Sequence, residues 1–170
     1  MKMGKLAALF WLVLALFRVE VHAVTRIAVL DFELNDITSL PNTPAERLRT
    51  ASMAPLLSRT LIQAGDYLVS VVDADSQQAA NAGFAYLFRH HDLAAQLGRR
   101  QGADWIIVSQ HSKPSFLFSY LWVYLIDVKK QVAVARYDIE LKGNHQTVTE
   151  HGLARLAGKV AATIAAYGKE

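Results

Sequence analysis

Three features of the chain predict an α/β domain: a three-layer sandwich with a mixed β-sheet, crossover helices, a carboxyl-terminal antiparallel hairpin and a closing helix. Between Arg26 and Ser109 short apolar runs alternate with helical segments, the order of a layer built on crossover connections. From Phe116 to Asp127 the chain reads as one long apolar strand, and Val132 to Leu141 returns after a short polar connection. A last stretch then repeats apolar residues at helical spacing. No repeat, low-complexity segment or linker interrupts residues 24–170, so they are expected to form one domain.

Taken in order, Arg26-Ile27-Ala28-Val29-Leu30-Asp31-Phe32 is β-branched and apolar with a charge near its end, a short buried strand. Glu33 to Thr43 is polar and turn-rich and reads as a loop. Thr43-Pro44-Ala45-Glu46 is a capping box with proline at the first helical position. Leu48, Leu56, Leu57 and Leu61 then supply a buried stripe down to Gly65, and Pro55 is expected to kink or divide the helix.

Tyr67 to Asp73 reads as a second strand, Asp75 to Gly83 as a weak helix or loop, and Asp92 to Arg100 as a firmer helix. Trp105 to Ser109 is a third strand. In the hairpin, Phe116, Phe118, Tyr120, Trp122, Tyr124 and Ile126 share one face, while Leu117, Leu121, Val123 and Leu125 share the other. Lys129-Lys130-Gln131 makes the turn, and Lys142-Gly143-Asn144 ends the return strand. Thr147-Val148-Thr149-Glu150 reads as a second capping box. Leu153, Leu156, Ala157, Val160 and Ile164 mark the inner face of the closing helix.

Residues 1–23 stand apart. Lys2 and Lys5 precede twelve uncharged apolar residues, Leu6 to Phe17, and the segment ends at Val21-His22-Ala23. That order is a secretory signal peptide, with cleavage expected after Ala23 and a periplasmic or secreted product. Arg18 and Glu20 interrupt the run before the roughly 20 residues a spanning helix needs, so no stable membrane insertion is expected after cleavage. The leader carries Lys2, Lys5 and Arg18 against Glu20, so the full chain's +3 falls to +1 without it. No basic block remains to attract nucleic acid. The chain has no cysteine, which removes thiol catalysis, thiol redox relays and cysteine metal sites.

A search for catalytic constellations returns little. His90, His91, His111, His145 and His151 lack the one-turn spacing of a zinc helix, and the expectation is solvated side chains near loop ends. Ser109, Ser112, Ser115 and Ser119 cluster at a strand end, but no Gly-x-Ser-x-Gly elbow is present. Phosphate-binding glycine loops are absent as well. No catalytic residue, metal site or cofactor is assigned.

Asp31, Glu33 and Asp36 form the best local candidate, since α/β sheets place ligand groups beyond the carboxyl ends of strands. Three acids in six residues suit a hard cation, although the spacing of a calcium loop is missing and turn-capping is the simpler reading. Phe118, Tyr120, Trp122 and Tyr124 suit a stacking platform. The expectation preferred here is that helices cover both faces of this strand.

The segments IAVLDFELND, LIQAGDYLVSVVD, LAAQLGRRQGADWIIVSQHSK and LWVYLIDVKKQVAVARYDIELKGN carry a resemblance. The chain resembles small secreted bacterial α/β domains of uncharacterised function, related in layout to the TolB amino-terminal domain and the curli-pore lipoprotein domain. The resemblance spans nearly all of residues 26–165 and marks Asp31, Phe32, Glu33, Ser109, Lys113, Asp127, Asp138, Gly143 and Asn144. It implies a periplasmic domain without known catalytic residues that docks onto other envelope proteins. It also implies an accessory role beside periplasmic quinoprotein oxidation systems. The Thr-Gly usual in the hairpin turn of such domains is replaced by Lys129-Lys130-Gln131.

The expected function is therefore a non-catalytic accessory protein whose partner is another envelope or periplasmic protein. Asp31, Glu33, Asp36, Lys113, Asp138 and Asn144 are its candidate binding residues. One rival is a small-ligand binder using the Asp31 loop and the aromatic strand. The other is a hydrolase with an unfamiliar site drawn from His111, Asp31 or Asp138.

Overall fold

A computed structural model describes residues 24–142 and 145–168, so the proposed leader with Ala23, and Gly143 and Asn144, lie outside the described residues. The chain runs β1 (Thr25–Val29), β2 (Glu33–Asp36), α1 (Pro44–Ala51), α2 (Met53–Ala64), β3 (Tyr67–Val71) and α3 (Ala74–Ala80). It continues through α4 (Tyr86–Arg89), α5 (His91–Arg100), β4 (Trp105–Lys113), β5 (Phe118–Asp127), β6 (Val132–Lys142) and α6 (His145–Tyr167).

The six strands make one mixed sheet in the order β3-β1-β4-β5-β6, with β2 also paired to β4. β1, β2, β3 and β4 are parallel; β5 and β6 return antiparallel as the sequence predicts. Helices flank the sheet on both sides. The larger core joins α2 and α6 to the face carrying Ile107, Leu121, Val123 and Leu125. A smaller core sets α4 and α5 against Ala28, Leu30, Ile106 and Ile126 on the other face. The predicted stripe Leu153, Leu156, Ala157, Val160 and Ile164 is buried throughout.

Several local expectations change. Pro55 does divide its helix: it has no N–H for the carbonyl four residues back, Ala51, and the two helices part at Ser52. Leu48, expected inside, is 73% exposed, because α1 turns Glu46 and Thr50 inward instead. The segment from Glu33 is not all loop; its first four residues pair with Gln110–Lys113 as β2. β4 accordingly extends four residues past Ser109. α6 begins at His145, so Thr147 lies inside the helix rather than capping it.

A register slip separates β1 from β2. Val29 lies opposite Ile107 and Glu33 opposite Gln110, so three residues of one strand face two of the other. Leu30 joins the smaller core and Phe32 the larger one, which makes Asp31 the extra residue of a bulge. Gln77 fills the gap: its side chain accepts from Asp31 N at 2.8 Å and donates to Asp31 O at 3.2 Å. At the far hairpin, Gln131 holds the left-handed conformation (φ 60°) where glycine is common. Asp127 steadies that turn by accepting from Lys130 N at 2.8 Å.

Candidate functional site

β4 carries Gln110, His111, Ser112 and Lys113 between β2 and β5, and all four are buried. Alternation along the strand sends His111 and Lys113 to the face beneath α1. There they meet a set of polar groups that is almost closed to solvent. Thr50 Oγ1 lies 2.8 Å from His111 Nδ1 and also donates to the Glu46 carbonyl at 2.8 Å. A hydroxyl has one proton, so Nδ1 carries the ring proton and donates to Thr50. His111 Nε2 is thereby left to accept from Ser119 Oγ at 3.0 Å.

Charged groups complete the network. Lys113 Nζ sits 3.0 Å from Glu46 Oε1 and 3.9 Å from Asp36 Oδ2. Arg49 bonds Glu46 at 3.4 Å, Thr149 Oγ1 at 2.9 Å and Ser119 Oγ at 3.5 Å. Burial, helped by the Arg49 charge, pushes the His111 imidazolium pKa down to about 4, so the ring is neutral at pH 7. Burial works against the Glu46 carboxylate, but the Lys113 hydrogen bond and the Arg49 charge outweigh it and hold its pKa below the usual range. Asp36 follows the same balance, its burial overcome by donors from Thr38 and Asn42.

This arrangement has a nucleophile–base distance, but among the described residues the space beside Ser119, Arg49 and Lys113 is only about 10 Å³, room for a water and not a substrate. Ser119 and His111 are within the reach that serine activation requires. However, they are 2% and 0% exposed, and the orienting group on Nδ1 is a hydroxyl rather than a carboxylate. Neither Asp31 nor Asp138 is a partner of the ring, whose two nitrogens are taken by Thr50 and Ser119. The expectation that the histidines are solvated fails at His111. Its strand continues inward because β2 covers a segment that reads as too polar to be buried.

The acidic trio does not converge. Asp31 occupies the bulge, where burial raises its carboxyl pKa. Glu33 pairs with Gln110 and Asp36 with Lys113, positions that alternate to opposite faces of the sheet. Asp36 joins the network under α1. Glu33 instead clamps the loop before α4, accepting from Asn81 Nδ2 at 2.9 Å, Ala85 N at 2.8 Å and Gln110 Nε2 at 3.2 Å. Replacing Glu33 by Ala is expected to cost about 2 kcal/mol, since charged hydrogen bonds are lost together. Faster proteolytic nicking between Asn81 and Ala85 would be the measured sign. Asp138 is half-exposed on β6, paired with Arg136 at 3.1 Å. Among the described candidates, Lys113 joins a trio member, Asp36, and Asp138 does not.

The aromatic strand is fully covered on one face and partly covered on the other. Leu121, Val123 and Leu125 are fully buried, whereas Phe118, Tyr120, Trp122 and Tyr124 are half-buried. Phe88 and His91 stack on Tyr124, with ring centres 4.8 and 4.4 Å away. Tyr120 and Trp122 lie farther along, flanked by Glu140 and Asp138 of β6 and by Ser112 and Gln110 of β4. The preferred expectation of cover on both faces therefore holds for one face and fails for most of the other. Phe116 and Leu117 lie before β5 and are 53% and 79% exposed.

Residues 25–160 match the model of a family, DUF3280, described as "Protein of unknown function (DUF2380)". No curated protein matches the chain. Among solved structures it is similar to a PelC dodecamer from Paraburkholderia phytofirmans, with 15% identity and a TM-score of 0.56 over 82% of this chain and 89% of that one. It is also similar to TolB from Acinetobacter baumannii, at 15% identity and a TM-score of 0.52, covering 84% of this chain and 28% of TolB. A third is Lipoprotein GNA1162 from Neisseria meningitidis, at 15% identity and a TM-score of 0.51, covering 83% and 96%. At such identities the likeness is one of fold, and it bears out the expected TolB-like layout.

Proposed function

The chain belongs to the DUF3280 family, and we propose that it serves as a non-catalytic accessory protein that binds another protein of the bacterial envelope. The observation that carries this reading is the partly exposed aromatic row Phe118, Tyr120 and Trp122 on a strand whose opposite face, Ser119, Leu121, Val123 and Leu125, is buried. Aromatic side chains bordered by charged residues of β6 on one side and by polar residues of β4 on the other match the composition of protein interfaces. The closed state of the Ser119–His111 pair supports a role without catalysis. Cleavage after Ala23 would place the protein in the periplasm, and a fold shared with Lipoprotein GNA1162 fits an envelope setting. A periplasmic quinoprotein oxidation system is the partner class that the sequence resemblance favours.

The test places a photocrosslinking amino acid at Trp122 in the protein produced in its own host. One envelope protein is expected to crosslink, and the doubly substituted Tyr120→Ser, Trp122→Ser chain should lose capture of that protein. A Leu68→Ser control, at an exposed position on β3, should keep it. Capture that survives the double substitution, or no crosslinked envelope protein at all, would overturn the assignment. Circular dichroism on each variant separates lost binding from lost fold.

A further inference from the structure

β6 closes one side of the sheet, and its outer edge is eleven residues long, against five for β3 on the other side. Proteins commonly blunt such an edge with proline, a very short strand or a charge turned inward. β6 has no proline and no glycine, and its charged residues Arg136, Asp138, Glu140 and Lys142 share the register of Tyr124, Trp122, Tyr120 and Phe118 on the partly exposed face. The positions turned to the core are Ala135, Tyr137, Ile139 and Leu141. The single irregularity lies at the start, where β6 slips by one residue opposite Leu125 and Ile126.

One contact shows which main-chain groups face outward. Arg155 of α6 reaches to the Glu140 carbonyl at 2.9 Å. Main-chain groups in an antiparallel ladder alternate in direction, so Arg136 and Asp138 turn theirs outward with Glu140. The Arg155 bond marks one end of the open stretch and the slip at Leu125 and Ile126 marks the other. A groove of about 670 Å³ between Glu140, Lys142 and the α6 residues Val148, His151 and Ala154 adjoins this stretch.

We propose that this edge pairs with the same edge of a second copy of the chain, antiparallel about a two-fold axis at Tyr137. The charge order selects that register. Centring on Tyr137 sets Arg136 opposite Asp138 of the second copy, and Asp138 opposite its Arg136. These are also the residues whose N–H and C=O groups face outward, so each such pair exchanges two main-chain bonds. Each Arg136 then lies between its own Asp138, 3.1 Å away, and that of the second copy. Centring on Ile139 would instead set Asp138 against Glu140 and Arg136 against Lys142, like against like. Centring on Asp138 or Glu140 would set a carboxylate on its own image. The partner segment before Ala135 crosses the groove beside α6. This pairing leaves the aromatic rows of both copies on the same side of a joined sheet. It does not depend on the accessory-protein reading.

Sedimentation velocity over a concentration series tests the pairing, using residues 24–170. A monomer–dimer equilibrium is expected. R136D should weaken it by about tenfold or more by setting carboxylate against carboxylate twice. The reversed chain R136D/D138R should restore it, because opposite signs meet again. Both side chains are half-exposed, so the fold does not rest on them. Because the chain contains no cysteine, a mixture of R136C and D138C chains should form a crossed disulfide, while R136C alone should not. A monomer at every concentration would overturn the proposal. So would a larger closed ring, a dimer indifferent to R136D, or a reversed chain that stays apart.

Discussion

Stability is expected to fall by about 3 kcal/mol as the pH drops from 7 to 4, with His111 responsible for most of the loss. The folded-state pKa of His111 is near 4, below the ordinary 6.5 that the unfolded chain restores. Between those values the unfolded chain binds a proton that the folded one refuses, so stability rises with pH throughout the window. The histidine contribution is complete above 6.5 and is lost on acidification toward 4. Glu46 and Asp36 add a second loss lower down, because their folded pKa values lie below the usual carboxylate range. Their stabilisation is present above the unfolded values and disappears as pH falls through the folded ones. Urea midpoints at a series of pH values measure the slope. His111→Gln keeps a neutral, hydrogen-bonding side chain and should flatten the curve between pH 6.5 and 4. An unchanged slope in that variant would mean that another group titrates.

Glu46→Ala is expected to destabilise the fold by about 3–5 kcal/mol, the cost of removing one partner from a buried ion pair. Lys113 is 5% exposed and would lose its 3.0 Å partner, keeping Asp36 at 3.9 Å and the Phe116 ring at 5.4 Å. Arg49 would lose its bond to the same carboxylate. The double variant Glu46→Gln, Lys113→Met removes both charges while keeping volume, and should recover much of the loss. Thermal unfolding of the three chains decides the matter. If Glu46→Ala unfolds like the parent, the pair contributes nothing and Lys113 is solvated in solution. Both outcomes bear on how closed the Ser119–His111 pair is, since the same carboxylate holds Arg49 beside Ser119.

The order of strands and helices was legible because it rests on periodicity, which burial imposes directly. Ile27 and Val29, Leu57 and Leu61, and the α6 stripe each repeat at the spacing of their element and are buried. The polar core was not legible for the same reason. Gln110-His111-Ser112-Lys113 has no hydrophobic signal, and only the arrival of β2, itself written in Glu33-Leu34-Asn35-Asp36, turns it into the middle of a sheet. Its partners Thr50, Ser119 and Thr149 come from three other elements, so no local spacing joins them. The cluster of serines at 109, 112, 115 and 119 was the one trace, since Ser119 ends on the His111 ring. Leu48 misled because a leucine at helical spacing is indistinguishable from a core residue until Thr50 and Glu46 are seen to have a histidine and a lysine to meet.

The bulge at Asp31 lets β1 and β2 share β4 without changing the face that any later side chain takes. With Asp31 removed, Leu30 and Phe32 would fall opposite Val108 and Ser109, while Glu33 and Asp36 would still stand opposite Gln110 and Lys113. What would go is the hold of Gln77, whose side chain binds the Asp31 main chain at both N and O. A single-codon deletion here would thus straighten the strand and release α3 while leaving both carboxylates in place. The extra residue works as a tether for the helix that follows β3.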